Sequence, residues 1–445
     1  MQIIMLSGGS GKRLWPLSND IRSKQFLKIL VDEYGNPQSM AQRVYGQICE
    51  AYPQINITVA TNISQVDSIR SHMGENVNIV LEPERRDTFP AIALSCAFLA
   101  YEKNVDYNET IAVLPVDSYT EHGFFDKLKS LDKIISSDDA NLALIGIKPS
   151  LATSKYGYII PGKKISKDAS EVLQFVEKPE EDIALSLIEQ GALWNGGVFV
   201  FKLKYVIDIL RRKLAFSDFN DLRNRYNELD RISFDYMVVE REQRVAVVPY
   251  QGTWSDIGTW RTLADEMPYN VSGYTKTEKT VNTYIVNELE IPIIALGTKD
   301  LVIAASPDGI LVSDLVESSQ LKPVVDNLED TRPMFEERRW GEYTVIAKTN
   351  NSLVKQLLLY KGKAISYQTH IHRDEIWVIV SGYGEFVLDG EVKRVKEGDT
   401  LRINRGQKHS IKAISDLLIT EVQIGTILSE DDIERYPDFI TEEAS

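Results

Sequence analysis

From Gln2 to Val248 the chain alternates short apolar runs with segments of helical spacing, and this alternation limits the possible fold more than any other feature. The runs "TIAVLPVD", "LALIGI", "GGVFVF" and "VAVVPY" have the length and the bounding turn residues of buried strands. Between them "AIALSCAFLAYEK", Ala91 to Lys103, reads as a packed helix. Strands alternating with helices predict an α/β domain built on a mostly parallel, doubly wound, Rossmann-like sheet. In such sheets ligands gather outside the carboxyl ends of the strands.

A glycine-rich loop, "LSGGSGKRLWPL", stands at that place, directly after the first apolar run. A Walker-type loop continues Gly-Lys with Ser or Thr, whereas Gly11-Lys12 is followed by Arg13. The dinucleotide fingerprint fails as well, because Leu14 occupies its third glycine position. Backbone N–H groups and cationic side chains remain together at a strand end, an arrangement suited to a triphosphate.

The rest of the chain changes character twice. From about Thr275 to Asn327, "IPIIALGTKDLVIAASPDGILVSD" gives short strands broken by turns, then "ESSQLKPVVDNL" a brief helix and "EDTRPMFEE" a linker. From Arg339 onward strands dominate, separated by tight turns such as Asp389-Gly390, which predicts an antiparallel barrel or sandwich. The expected domains are therefore 1–270, 271–330 and 331–445. A chain of 445 residues is too long for one core, in keeping with this division.

A net charge of −15 argues against nucleic acid as a partner. No run approaches a membrane span, no signal peptide is evident, and two distant cysteines, Cys49 and Cys96, fit a cytoplasmic location. Against this acidic background the cluster Lys12, Arg13, Arg22, Lys24 and Lys28 is a local anion site, with Arg22, Lys24 and Lys28 placed to neutralise a polyphosphate. Asp117, at the end of "AVLPVD", and Asp256, in "WSDIGTW", are oxygen donors suited to a shared magnesium ion. "FVEKP" offers Glu177 for sugar hydroxyls and Lys178 for a phosphate, and Asn195 in "WNGGVF" both donates and accepts hydrogen bonds.

In order, "GGSGKRLWPLS", "RSKQFL", "EPERRDTFPAIAL", "LPVD", "KYGYI", "FVEKP", "WNGGVF" and "WSDIGTW" resemble the sugar-1-phosphate nucleotidyltransferases. "RLWPLS" and "KQFL" point within them to the mannose-1-phosphate guanylyltransferases. The resemblance implies that Leu6, Gly8, Gly9, Gly11, Lys12 and Arg13 hold the nucleotide, with Arg13 stabilising the transition state and Lys24 near the reacting phosphoryl group. It implies further that Asp117 and Asp256 hold Mg²⁺, and that Gly157, Glu177, Lys178 and Asn195 hold the sugar phosphate. The substrates implied are GTP and mannose 1-phosphate.

Three of five histidines fall in the last region: His370, His372 and His409. On a strand His370 and His372 share a face, so both are expected to bind one metal, and imidazoles with a carboxylate suit zinc or another first-row divalent ion. "QTHIHRDEIW" and "GDTLRINRGQKHS" resemble an all-β cupin barrel, the isomerase half of bifunctional mannose-6-phosphate isomerase/guanylyltransferases. That likeness implies Gln368, His370, His372, Glu375 and His409 around the metal, with Arg373 near the substrate. Asn404 stands where the second motif usually has Pro. Two alternatives stay open: a transferase for another sugar or base with a non-catalytic barrel, and an isomerase with a degenerate nucleotide-binding half. A homo-oligomer is expected, with the middle β unit as its assembly surface.

Overall fold

The apolar runs of the first half become the buried centre of one nine-stranded sheet. The computed structural model of the protein describes residues 1–9, 11–19, 21–328 and 333–437, so residues 329–332 of the expected linker lie outside the described residues. Chain contacts define two compact units: Met1–Arg13 with Ser23–Pro268, and Leu14–Arg22 with the chain from Tyr269 onward.

In the first unit the sheet order is Asn78–Leu81, Ile57–Thr61, Gln2–Ser7, Thr110–Pro115, Leu193–Lys202, Leu142–Ile147, Val245–Tyr250, Ser170–Val176, Tyr158–Lys164. The first four are parallel, as expected, and so are Leu142–Ile147 and Val245–Tyr250. Leu193–Lys202 runs antiparallel between Thr110–Pro115 and Leu142–Ile147, and the last two strands form an antiparallel edge. The sheet is thus more mixed than the alternation predicts. A strand buried on both faces is a continuous apolar run in either direction, so its sequence carries no sense of polarity. The reversal matters for function, because it brings the N-terminal end of Leu193–Lys202, with Asn195, to the edge where the parallel strands end: Asn195 pairs with Gly146.

Helix Met40–Ala51 begins at Ser39 with a reciprocal capping box to Gln42, which satisfies two backbone donors. Helix Thr88–Ala97 is apolar all round, buried from Phe89 to Ala97, and continues into a π turn, Phe98–Glu102. It shares a core with Ile111, Val113, Phe199, Phe201 and Phe234. Each fully buried aromatic there contributes about 2–3 kcal/mol by apolar area alone.

In the second unit the strands Val271–Ser272, Tyr284–Asn287 and Leu301–Ser306 stack in parallel, as do Thr275–Glu278 and Ile293–Leu296. The middle region is therefore a stack of short rungs, closed by the hairpin strand Gly309–Asp314 and the helix Leu321–Asp326. Beyond it lie two antiparallel sheets, of six and five strands. In Arg373–Ser381 the residues Arg373, Glu375, Trp377 and Ile379 face inward, and in Leu417–Gly425 so do Leu417, Ile419, Glu421 and Gln423. One end of this interior is apolar, around Ile379, Leu417 and Ile419, and the other carries buried polar side chains. Among the described residues no helix is long and apolar enough to cross a membrane.

Candidate active sites

Strand Gln2–Ser7 ends in Gly8 and Gly9, and the chain then makes a 3-10 turn over Gly11–Leu14. Beneath the turn lies a knot of small polar groups. Gln65 Oε1 accepts from the Ser7 hydroxyl at 3.0 Å, and Gln65 Nε2 donates to Ser23 Oγ at 2.7 Å. Ser23 Oγ in turn donates to the carbonyl of Gly9 at 3.2 Å, and Gln25 Nε2 to Ser7 Oγ at 3.1 Å. These bonds fix the loop backbone from below while Arg13 stays exposed, with no ion-pair partner among the described residues.

Lys24 is the residue that the resemblance puts near the reacting phosphoryl group. Its ammonium is 2.8 Å from Asp117 Oδ2 and 3.4 Å from Asp256 Oδ1, and donates to the carbonyl of Ile257 at 2.9 Å. Burial pulls its pKa down, but Asp117 and Asp256 outweigh that and hold it above the ordinary lysine value. The two carboxylates meet because Ser118–Thr120 and Trp254–Asp256 form a small antiparallel pair, with Asp256 opposite Ser118. The ammonium thus occupies a point at which two partly open carboxylates converge, which is the chemistry a hard divalent cation requires.

The third cluster is the one expected for the sugar phosphate. Gly157 lets Glu177 and Phe175 approach closely: a Cβ would lie 2.5 Å from Glu177 Oε2 and 2.7 Å from the Phe175 ring. Its carbonyl accepts from the Asn195 N–H at 2.7 Å. Lys178, at φ 46°, pairs with Glu177 Oε1 at 3.0 Å. Glu177 Oε2 is buried and has no hydrogen-bond partner among the described residues, so it awaits a donor such as a hydroxyl. Tyr156, Trp194 and Trp254 form an aromatic wall beside these residues, with ring centroids 4.9 Å and 5.3 Å from Tyr156.

Asp235, which the sequence reading missed, completes this cluster. Asn195 Nδ2 donates to Asp235 Oδ1 at 2.7 Å. Burial, reinforced by the charge of Glu177, pushes the Asp235 carboxyl up to about 7. Its pKa is raised on folding, so the stability it contributes is full below the unfolded value near 4 and is lost as pH rises through about 7. Asp235→Asn should therefore raise the melting temperature at pH 8.5 by about 3 °C or more relative to its effect at pH 5. Equal shifts at both pH values in thermal melts would contradict the assignment.

In the barrel the structure brings together His370, Glu375 and His409, whose ligand atoms all lie within 4.8 Å of one another and are buried. His370 Nδ1 faces the carbonyl of Asp432 at 3.0 Å and His409 Nδ1 that of Gln407 at 3.1 Å. Both Nδ1 atoms must donate there, which leaves the Nε2 atoms turned inward. They meet Glu375 Oε1 at 3.2 Å and Oε2 at 3.5 Å, and His409 Nε2 has no hydrogen-bond partner among the described residues. Two imidazole nitrogens and a carboxylate converge here, and this donor set fits a first-row divalent ion. Burial lowers the His370 pKa despite Glu375; for Glu375, His409, His370 and Arg373 outweigh burial and hold it well below the usual carboxylate range.

His372 does not join them. The strand Gln368–Thr369 ends before it, the chain bends at 371–372, and His372 is exposed, with its N–H donating to Asp432 Oδ2 at 3.1 Å. The shared-face expectation fails because two-residue periodicity holds only while the strand continues. Gln368 lies at the edge of the set, Nε2 3.5 Å from His370 Nε2. Arg373 is buried against it, donating to Glu375 Oε1 at 2.9 Å and to the carbonyl of Ser429 at 2.7 Å. Trp377 Nε1 and Gln423 Nε2 also donate to Glu375, at 3.1 Å and 3.3 Å, contacts no local motif announces.

Comparison with known proteins agrees with both halves. The Nucleotidyl transferase family model matches residues 2–271, more than half of the chain, and the Mannose-6-phosphate isomerase C-terminal model matches 328–438. The mannose-1-phosphate guanylyltransferase ManC of Salmonella typhimurium is 32% identical over 98% of this chain and 97% of its own. The chain belongs to the mannose-1-phosphate guanylyltransferase family. The Escherichia coli K12 member is 31% identical, again over 98% of this chain and 97% of its own. A solved structure described as a mannose-1-phosphate geranyltransferase from Thermus thermophilus superposes with a TM-score of 0.62 at 27% identity, covering 74% of this chain and 99% of that one. The chain is thus an enzyme with a nucleotidyltransferase fold followed by a cupin-like, isomerase-type domain.

Proposed function

We propose that this guanylyltransferase transfers GMP from GTP to mannose 1-phosphate, releasing pyrophosphate and forming GDP-mannose. The observation that carries the reading is the knot of Lys24 between Asp117 and Asp256, one residue beyond the serine that pins the glycine loop. In this reading Leu6, Gly8, Gly9, Gly11 and Lys12 cradle the triphosphate, and Arg13 meets the charge that builds on the α-phosphoryl group. A sugar-phosphate oxygen, already ionised near pH 7, attacks the α-phosphorus in line, and pyrophosphate leaves. Alignment and charge neutralisation therefore matter more than a general base. Glu177 and Asn195 hold sugar hydroxyls and Lys178 the phosphate of the acceptor. Asp117 and Asp256 would hold magnesium, which when bound supplies charge neutralisation to the phosphates.

The barrel is the site of a second reading, interconversion of mannose 6-phosphate and fructose 6-phosphate. Its support is the pair of inward Nε2 atoms facing Glu375, a donor set that would hold zinc or a similar ion and so polarise a sugar oxygen. The division of labour we propose follows 1–270, 271–330 and 331–445, in a cytoplasmic enzyme whose two cysteines are both unpaired.

A substrate panel tests the reading: pyrophosphate release with magnesium, offering GTP against other triphosphates and mannose 1-phosphate against glucose 1-phosphate. The GTP and mannose 1-phosphate pair is expected to exceed every other pair in kcat/KM by at least about 10²-fold. A different preferred pair overturns the substrate assignment, and no release with any pair overturns the transferase.

A further inference from the structure

The stretch from Ser429 to Tyr436 lies along the residues that lead into the barrel's histidine cluster. Its strand Glu434–Arg435 pairs with Gln368–Thr369, and the Tyr436 N–H donates to the carbonyl of Tyr367 at 2.8 Å. All of these residues belong to one compact unit. We propose that Asp432 is a positioning residue of the barrel's metal site, holding His370 inward as a ligand and fixing the bend that turns His372 away. The inference rests on the barrel reading above, which zinc uptake by the unmodified protein tests separately.

Asp432 makes one contact to each of three successive residues. Its carbonyl faces His370 Nδ1 at 3.0 Å, its Oδ1 accepts from the Ile371 N–H at 3.1 Å, and its Oδ2 accepts from the His372 N–H at 3.1 Å. In an extended strand successive N–H groups point to opposite sides, so one carboxylate cannot take both. Both reach Asp432 because the chain bends at 371–372, after the strand Gln368–Thr369 ends and before Arg373–Ser381 begins. Two charge-assisted bonds to adjacent N–H groups fix the direction of the backbone as well as its distance. One residue thus sets both the bend and the ring of His370.

The place of Asp432 is itself fixed. It ends the turn Glu430–Asp432, whose other carboxylates are engaged elsewhere: Glu430 Oε1 pairs with Lys355 Nζ at 2.7 Å, and the exposed Asp431 accepts from the Ser429 hydroxyl at 3.0 Å. Arg373 Nη1 donates to the carbonyl of Ser429 at 2.7 Å and lies 3.7 Å from Asp432 Oδ2. The turn is therefore tied to the barrel wall at Lys355 and to the start of Arg373–Ser381.

The Asp432 side chain is only 4% exposed. Burying a carboxylate is costly unless its oxygens are hydrogen-bonded, and the turn adds no side chain to the apolar core of the barrel. What it contributes is the orientation of 370–373. Contacts that orient a metal ligand from outside typically control metal affinity by about 10- to 100-fold.

The experiment is calorimetric zinc titration of full-length Asp432→Ala, Asp432→Asn and Asp431→Asn variants, with thermal melting of each metal-free protein and nitrogen NMR of its labelled histidine side chains. Asp432→Ala is expected to weaken zinc by about 10- to 100-fold with a cooperative melt retained. Asp432→Asn keeps an oxygen for one of the two N–H groups, so it should recover part of that loss, and it serves if Asp432→Ala does not fold. Asp431→Asn removes the same charge one residue away without touching 370–373, and its zinc affinity should stay within about twofold of the unmodified protein. In the metal-free protein the His370 Nδ1 proton should be protected from solvent exchange, and Asp432→Ala should remove that protection. Zinc affinity within about twofold for Asp432→Ala, an equal loss in Asp431→Asn, or loss of the cooperative melt in both Asp432 variants overturns the proposal. No zinc uptake by the unmodified protein overturns the barrel reading instead, and the Nδ1 proton then still reports whether Asp432 holds the ring.

Discussion

Arg13→Ala should lower kcat for pyrophosphate release by about 10³-fold, equivalent to about 4 kcal/mol of transition-state stabilisation. Arg13 is exposed and has no carboxylate partner among the described residues, whereas Lys24 is anchored between two. A guanidinium left unpaired beside a glycine loop loses nothing when a phosphoryl group arrives, because no existing ion pair must first be broken. Lys24 must instead exchange its carboxylates for substrate or share them with magnesium. Removing Arg13 should not disturb the loop, whose backbone is held by Ser23 and Gln65, so the melting temperature is expected to stay within about 2 °C. Arg13→Lys should recover only a small part of the rate, since an ammonium cannot meet two phosphate oxygens in one plane. A kcat within tenfold of the unmodified enzyme for Arg13→Ala would move the transition-state role to Lys12 or Lys24.

Much of this site is legible in the sequence because its parts are local. The loop, Lys24, Asp117, Asp256 and the Glu177-Lys178 pair each lie in a short motif at a strand end, and strand ends are where the fold collects ligands. The supports are not legible, because they act across the chain. Gln65 reaches Ser7 and Ser23 through the parallel pairing of Gln2–Ser7 with Ile57–Thr61, and Asp235 reaches Asn195 only because Leu193–Lys202 is reversed. Neither pairing has a signature in the residues themselves. Arg22 misleads for a related reason: charge in sequence shows that a cation is nearby, and Glu288 on a distant rung decides where it is used. His372 shows the opposite error, a periodicity rule carried one bend too far.

His370→Gln is the substitution expected to affect the barrel most. It should reduce zinc affinity at least about 100-fold, measured by calorimetry or by metal retained after dialysis, and should leave the kcat for pyrophosphate release unchanged. The tautomers of the two rings are the reason. Nδ1 of His370 donates to the Asp432 carbonyl and Nδ1 of His409 to the Gln407 carbonyl, so the Nε2 atom of each ring is the one that faces Glu375. Arg373 already lies against the set, 2.9 Å from Glu375 Oε1 and 3.3 Å from His370 Nε2, and Trp377 and Gln423 also donate to Glu375. A metal would therefore enter beside a resident positive charge, and the two imidazole nitrogens with Glu375 are the ligands that would hold it. Zinc at about 100 times its Kd should stabilise the unmodified protein by about 2.7 kcal/mol, and the melting shift this produces should vanish in His370→Gln. His372→Gln is the internal control, because its exposed ring stands outside the cluster and its loss should leave zinc affinity intact. If His372→Gln weakens zinc as much as His370→Gln does, the bend at 371–372 must straighten on metal binding, and the shared-face reading of the two histidines would hold for the loaded barrel.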